Sequence, residues 1–223
     1  MRNNYELVIF DWDGTLMDSE AKIIRCFEQA MADVGLASPG ASEIRQIIGL
    51  GLKEAITQLL PEASDQTGLD VAGQYRQHFL HYDQTPMEFF PNVRENLRQL
   101  ASHGYMMAVA TGKARRGLDR ILKEWDMETR FVATRCADEA FSKPHPRMLE
   151  DLLQQTGISA QRAIMVGDTT FDMEMASNAG AHGLAVSYGA HDREQLLAYA
   201  PQACVDSFDE VRAWLMQGQN PAA

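Results

Sequence analysis

Short apolar runs alternate along much of the chain with longer stretches in which apolar residues recur every three or four positions. Each run is continuous and ends abruptly in polar or charged residues. Such a run is typical of a central parallel strand, because helices cover both of its faces. We therefore predict strands at four clear runs, residues 7–10, 106–110, 163–166 and 183–186, and at a weaker run, residues 130–133.

The stretches between these strands have the spacing of amphipathic helices. From about residue 85 onward strand and helix alternate, which predicts a doubly wound α/β domain with a parallel sheet and a Rossmann-like, three-layer arrangement. The helical apolar positions are Val93, Leu97 and Leu100, then Leu118, Ile121 and Leu122, then Met148, Leu149, Leu152 and Leu153.

Residues 18–85 interrupt this alternation with three helical stripes and no convincing strand. Because the first strand precedes them and the others follow, we predict an all-helical cap domain at 18–85 inserted into a core of 1–17 and 86–223. The stripes are Ile23, Ile24, Phe27, Ala30 and Met31, then Ile56, Leu59 and Leu60, then Val71, Tyr75, Phe79 and Leu80.

Composition narrows the possible partners and location. A formal charge of −11 over 223 residues argues against binding to a nucleic-acid backbone. No stretch approaches the ~20 apolar residues of a membrane span, and residues 1–6 lack a signal-peptide pattern. Three dispersed cysteines suit packed thiols in a reducing cytoplasm. The tail after Trp214, which ends in residues 218–221, has the composition of a frayed end. The sequence allows either a monomer or a homodimer.

The strongest chemical signal follows the first predicted strand directly. Ligands of open α/β sheets bind at the carboxyl ends of strands, where its two aspartates lie. A calcium loop is excluded because the third acidic position and the terminal Glu are missing, whereas an ordinary Asp-Gly turn stays possible for this motif alone. The motif is Asp11-Trp12-Asp13-Gly14-Thr15-Leu16.

Three further polar motifs lie at strand ends or in the loops beside them. Each alone could be a helix cap or a solvated turn. Four motifs converging on one edge of one sheet indicate a common site instead. The three are Thr111-Gly112-Lys113, Ser142-Lys143-Pro144 and Gly167-Asp168-Thr169-Thr170-Phe171-Asp172.

In sequence, order and spacing these motifs resemble those of the haloacid dehalogenase superfamily, in the branch with a helical cap after the first motif. The resemblance covers almost the whole chain. The segment 48–52 is similar to that of the phosphoglycolate phosphatase-like group. The chain departs from the branch at Asn92, where Gly usually follows Phe90-Pro91.

The resemblance implies a Mg²⁺-dependent phosphatase for a small phosphate monoester, with phosphoglycolate as the nearest single substrate. Asp11 would attack phosphorus and form an aspartyl-phosphate, and Asp13 would protonate the leaving oxygen and then activate water. Thr111 and the backbone at Gly112 would hold the phosphoryl oxygens, and Lys143 would offset their charge.

The resemblance also implies the metal ligands. Asp11 and Asp168 would hold Mg²⁺ through their carboxylates and Asp13 through its backbone carbonyl. Asp172 would be either a further ligand or a support for one.

Several cap features allow two interpretations. Residues 49–53 are either a glycine-rich connection between helices or, by resemblance, a loop that reaches the core site, where Lys53 or Arg45 would meet an anionic leaving group. His78 and His81 have a spacing that could bind metal, but no third ligand is evident, which favours surface histidines. Trp12 would either wall the pocket or pack against the cap.

Two rival functions stay open. A sugar-phosphate mutase would share the aspartyl-phosphate, but such mutases usually have a His early in the cap, and residues 19–23 contain none. A non-catalytic module that keeps the fold is the weaker rival, because every expected catalytic position is filled. A dehalogenase is disfavoured, since dehalogenases of this superfamily lack an aspartate at the position of Asp13.

Overall fold

The computed structural model describes residues 5–217. Its central feature is a sheet of six parallel strands in the order β5-β4-β1-β6-β7-β8, and β2 pairs separately with β3 in an antiparallel ribbon. The strands are β1 (Leu7–Phe10), β2 (Met17–Asp18), β3 (Glu88–Phe89), β4 (Met106–Thr111), β5 (Ala133–Cys136), β6 (Ala163–Gly167), β7 (His182–Val186) and β8 (Cys204–Val205).

Helices cover both faces of the sheet and fill the interval between β2 and β3. They are α1 (Glu20–Asp33), α2 (Ala41–Arg45), α3 (Leu52–Leu59), α4 (Asp65–Gln77) with a π-helical turn at His78–Tyr82, α5 (Val93–Ser102), α6 (Arg115–Glu124), α7 (Arg147–Thr156), α8 (Thr170–Asn178), α9 (Arg193–Leu197) and α10 (Phe208–Met216).

Successive residues of the central strands enter two separate apolar clusters. Val8 and Phe10 of β1 pack on one face with α5, α6 and α10, and Leu7 and Ile9 pack on the other with α7 and α8. All four residues are fully buried, as expected of a parallel strand covered on both sides. The structure confirms the predicted doubly wound, three-layer α/β fold.

The four clear apolar runs match β1, β4, β6 and β7 to within one residue at each end. The weaker run was misplaced, since residues 130–133 were predicted and the strand is Ala133–Cys136. β5 is an edge strand, so its half-buried Thr134 and Arg135 need no continuous apolar run. Val132, inside the predicted run, is 53% exposed.

Helices α1–α4 share an apolar cluster of their own, which includes Phe27, Ile44, Ile56 and Val71. The chain enters this helical region through β2 and leaves it through β3, where Met17 pairs with Phe89. Two-residue strands carry no periodicity, so the sequence pattern did not reveal this ribbon. The domain boundaries at 18 and 85 stay a prediction.

The departure at Asn92 concerns backbone conformation. Asn92 precedes α5 with a left-handed φ of 60°, a region that Gly adopts freely and Asn tolerates better than most residues. Its side-chain amide donates a hydrogen bond of 2.9 Å to Asp209. Asn therefore preserves the helix entry that Gly would make.

Across residues 5–217, no helix has both the length and the apolar character needed to cross a bilayer. The tail predicted to fray begins after Trp214, but α10 continues to Met216, so the predicted start was wrong; residues 218–221 lie outside the described residues.

Candidate active site

The register of the sheet brings the four motif loops to one edge. β1 pairs in parallel with both β4 and β6, so these three strands end side by side. Asp11 follows β1, Thr111 is the last residue of β4 and Asp168 follows β6. Lys143 reaches the same edge from the loop between β5 and α7.

Lys143 is enclosed and joins two carboxylates. Its Nζ lies 2.8 Å from Asp11 Oδ1 and 2.7 Å from Asp172 Oδ1. Burial alone would lower the pKa of Lys143, but the two carboxylates outweigh burial and raise that pKa. The side chain is therefore a fixed positive charge beside Asp11.

Three buried carboxylates meet around this cation. Asp11, Asp168 and Asp172 each offer an oxygen, and these oxygens all lie within 4.8 Å of one another. Burial raises the pKa of Asp11 well above its ordinary value, and the charges of Asp172 and Asp168 add to the effect against the opposing charge of Lys143. Burial and then Asp172 raise the pKa of Asp168 to about 7. One ammonium thus leaves the cluster short of positive charge.

Hydrogen bonds fix the orientation of two of these carboxylates. Asp168 Oδ1 accepts the hydroxyl proton of Thr15 at 2.8 Å, and Oδ2 accepts the backbone N–H of Ala190 at 2.7 Å. Asp172 Oδ2 accepts from the hydroxyl of Thr169 at 2.7 Å, within the capping box of α8. Asp168 is therefore held just after β6 and Asp172 in the first turn of α8.

The donor set fits a hard divalent cation. Oδ2 of Asp11 is buried and has no hydrogen-bond partner among the described residues. A buried carboxylate oxygen without a partner destabilises the fold unless a cation or a hydrogen-bond donor approaches it. Carboxylate oxygens are the ligands that hard cations such as Mg²⁺ prefer. The cluster can accordingly hold a metal ion between Asp11, Asp168 and Asp172.

Asp13 lies beside this cluster with its carboxylate outside it. Its Oδ1 accepts the hydroxyl proton of Ser19 at 2.7 Å, and its Oδ2 lies 2.9 Å from Lys113 Nζ. Lys113 belongs to the motif Thr111-Gly112-Lys113, but the sequence predicted no role for it. The pattern could not find it, because the contact depends on how the loop after β4 turns toward β1.

A cavity of about 710 Å³ opens over these residues, between the sheet edge and the cap helices. Asp11, Asp13 and Thr111 line one side of it, and Lys53 lines the other. Arg45 is not among its lining residues; the guanidinium lies 2.6 Å from Glu20 Oε1 instead. The structure therefore does not bring Arg45 to the site, because this neighbour on α1 holds it.

Residues 49–51 contact several motif loops at once. The backbone N–H of Gly51 donates to Ser142 Oγ at 2.8 Å. A Cβ atom on Gly112 would lie 2.4 Å from the carbonyl oxygen of Leu50 and 2.5 Å from that of Gly49. The loop thus lies directly on the core site, with Gly112 at the closest approach, and Lys53 is the second residue of the following helix, α3.

The remaining candidates have ordinary explanations. His78 Nε2 lies 2.7 Å from Asp33 Oδ2, and neither histidine belongs to a candidate metal cluster within residues 5–217. Trp12 is fully buried and makes edge contacts with Phe89 at 5.9 Å and Phe131 at 6.2 Å between ring centroids. It belongs to the apolar cluster of the core and is not among the residues that line the cavity, so the interpretation that it walls the pocket was wrong.

Comparison with known proteins agrees with this geometry. "Probable phosphatase IndB" of Dickeya dadantii is 37% identical over 92% of this chain and 91% of the relative. A phosphoglycolate phosphatase of Mesorhizobium japonicum is 30% identical over 95% of each chain. The solved structure of a haloacid dehalogenase-like family hydrolase from Streptococcus pneumoniae has a TM-score of 0.82 at 26% identity, covering 95% of this chain and 98% of that one.

The family model described as haloacid dehalogenase-like hydrolase matches residues 8–186. This span includes all four motif loops and the carboxylate cluster around Lys143. The chain therefore belongs to the haloacid dehalogenase-like hydrolase family.

Proposed function

We propose that this protein is a Mg²⁺-dependent phosphatase that hydrolyses a small phosphate monoester through an aspartyl-phosphate on Asp11. The observation that carries the proposal is the buried, unpartnered Oδ2 of Asp11, next to one ammonium and two further carboxylates. Similarity to relatives named as phosphatases supports the same reaction class.

The first step uses Asp11 and the cations around it. Asp11 attacks phosphorus in line, a P–O bond to its carboxylate forms, and the bond to the leaving alcohol oxygen breaks. Lys143 offsets charge on the phosphoryl oxygens, while Thr111 and the backbone amides at Gly112 donate hydrogen bonds to them.

Asp13 moves the protons. In the first step it gives a proton to the leaving oxygen, and in the second it takes one from the water that attacks the aspartyl-phosphate. Its Oδ1 is held by Ser19, and we assign the proton transfer to Oδ2, which lies 2.9 Å from Lys113 Nζ at the cavity lining. Water then releases phosphate and regenerates Asp11.

A magnesium ion would be held by Asp11, Asp168 and Asp172, with the backbone carbonyl of Asp13 as a further ligand. Bound there, it would relieve the repulsion between a carboxylate nucleophile and an anionic phosphate. Two observations support this assignment. Oδ2 of Asp11 is buried without a hydrogen-bond partner among the described residues, and the pKa values of Asp11 and Asp168 are raised.

Phosphoglycolate is the substrate that we propose first, since several relatives are named phosphoglycolate phosphatase. The substrate would enter when the cap opens and be sealed from water when residues 49–51 meet the core loops. We further propose a cytoplasmic location, which the three free thiols support.

Metal removal tests the function. With 2-phosphoglycolate or an aryl phosphate, we expect phosphate release in Mg²⁺ to fall at least 100-fold in EDTA. We also expect Mg²⁺ at 100 times its Kd to stabilise the fold by about 2.7 kcal/mol, seen as a higher Tm, and Asp168→Asn to reduce that shift. Sodium chloride at equal ionic strength is the control. Equal turnover and equal Tm in EDTA and Mg²⁺ would refute the proposal.

Gly112→Ala tests the role of the cap loop. The added methyl group would meet the backbone oxygens of Leu50 and Gly49, so the cap has to shift. We expect kcat/KM to fall about 10–100-fold and Tm to fall as well, because the clash is with backbone atoms. Gly73→Ala is the matched control, because nothing lies within 4 Å of the added atom there. Full activity in Gly112→Ala would show that close seating of this loop is unnecessary.

A further inference from the structure

Two lysines of the cavity that the reaction does not use lie over one aromatic ring. Lys113 Nζ is 4.9 Å from the centroid of Phe79, and Lys22 Nζ is 5.4 Å from it. Lys113 comes from the core loop after β4, and Lys22 and Phe79 come from the cap. Each lysine side chain is only 9% exposed, and all three residues line the cavity.

Both ammonium groups have donors to spare. An ammonium carries three donors. Among the described residues, Lys113 Nζ has Asp13 Oδ2 as its ionic partner at 2.9 Å. Lys22 Nζ donates to the backbone oxygen of Asp83 at 2.8 Å, while the Asp83 carboxylate is 3.8 Å away and closer to Arg25, at 3.2 Å.

Lys113 lies next to the carboxylate that we propose as the proton donor to the leaving group. Ser19 holds Oδ1 of Asp13, and Oδ2, the oxygen proposed to serve the leaving group, lies 2.9 Å from Lys113 Nζ. A group on the alcohol about two hydrogen-bond lengths, or ~6 Å, from the ester oxygen is therefore within reach of this ammonium.

Phosphate itself does not require these lysines, because Lys143 is the cation next to Asp11. Partly desolvated ammonium groups are stabilised by anions rather than by neutral groups. Phe79 contributes a ring face that tolerates positive charge. The geometry therefore favours a second negative charge on the leaving alcohol.

We propose that Lys113, with Lys22 adding positive potential, forms a subsite for a carboxylate carried by the leaving alcohol. This inference rests on the proposed phosphatase function and deepens it. It assigns the substrate class as phosphate monoesters of short hydroxy acids, with the carboxylate a few atoms from the ester oxygen. Lys113 is the residue that selects them.

Matched esters test the subsite. 2-Phosphoglycolate has a carboxylate where 2-hydroxyethyl phosphate has a hydroxymethyl group. 3-Phosphoglycerate and glycerol 3-phosphate form a second pair with the same difference. We expect the wild-type protein to prefer the acid of each pair about 100-fold in kcat/KM, because a site built around a charged group rejects the analogue without it.

Lys113→Met should reduce this preference to about fivefold or less, mainly by raising KM for the acid, since Met keeps most of the apolar stem. Lys22→Met should reduce it by a smaller factor. Lys123→Met removes the same charge from an exposed position outside the cavity lining and should keep the wild-type ratio.

Each contrary outcome has its own meaning. Phosphate release without preference for the acids would overturn the subsite and leave the phosphatase proposal standing. An equal fall of kcat on both esters of a pair in Lys113→Met would make Lys113 a positioning residue for Asp13, which also overturns it. If no ester is hydrolysed, calorimetric binding of 2-phosphoglycolate and 2-hydroxyethyl phosphate to Asp11→Asn still decides the preference without turnover.

Discussion

Asp11→Asn is expected to lower kcat for phosphate release at least about 10⁴-fold, the order of loss that follows removal of a covalent nucleophile. An amide is a far weaker nucleophile than a carboxylate, and the covalent intermediate would not form. Asn keeps the acceptor oxygen that faces Lys143 and the N–H of Trp12, which donates to Asp11 Oδ1 at 2.6 Å. The measurement is phosphate release under saturating substrate and Mg²⁺.

The stability of Asp11→Asn in the absence of metal should not fall with its activity. Burial and the nearby carboxylates raise the pKa of Asp11, so its charge at neutral pH destabilises the metal-free fold. Asp11→Asn should therefore have a Tm in EDTA equal to or above the wild-type value, and a smaller Tm increase on adding Mg²⁺. This combination distinguishes a lost nucleophile from a misfolded protein.

Direct observation of the intermediate completes the test. With an activated aryl phosphate the first step needs little acid catalysis, whereas hydrolysis of the aspartyl-phosphate still needs a base. Asp13→Ala should therefore accumulate phosphate on the peptide that contains Asp11, detected by mass spectrometry after acid quenching. Near-wild-type turnover in Asp11→Asn, or label on another residue, would contradict the nucleophile assignment.

The sequence predicted the parts of the fold that depend on burial. Residues 7–10 and 163–166 read as central strands because both faces of the sheet are covered. The edge strand at Ala133–Cys136 was misplaced, since an edge strand tolerates side chains such as Arg135 and its pattern is weak. The ribbon between β2 and β3 joins residues about 70 positions apart, and two-residue strands give no local signal.

The sequence predicted correctly which side chains lie together where position along a strand determines position in space, and their catalytic roles stay a prediction. Asp11 and Asp168 come directly after neighbouring strands, so the sheet itself brings them together. Arg45 failed because its side chain is long and Glu20, on another helix, holds it away from the cavity. Lys113 was given no role because its contacts come from distant parts of the sequence. Its ammonium lies near Asp13 of the core and Phe79 of the cap, and no local sequence pattern joins these residues.

Lys143→Met is expected to lower kcat about 10²–10³-fold, as loss of one charge-stabilising donor does in other active sites. It should also destabilise the metal-free protein by about 3–5 kcal/mol, because a buried ion pair loses one partner. Lys143 Nζ contacts both Asp11 and Asp172, and without it three buried carboxylates have no cation. Urea unfolding in EDTA measures the free energy of unfolding, and Mg²⁺ should restore part of it.

The double variant Lys143→Met/Asp172→Asn separates charge balance from catalysis. Removing one carboxylate together with the ammonium relieves the uncompensated charge, so much of the unfolding free energy should return. Turnover should stay low, because no ammonium group replaces Lys143 beside the phosphoryl oxygens. Recovery of kcat in the double variant would mean that Lys143 acts only by balancing buried charge. A stable Lys143→Met single variant in EDTA would show instead that the carboxylates take up protons in the folded state.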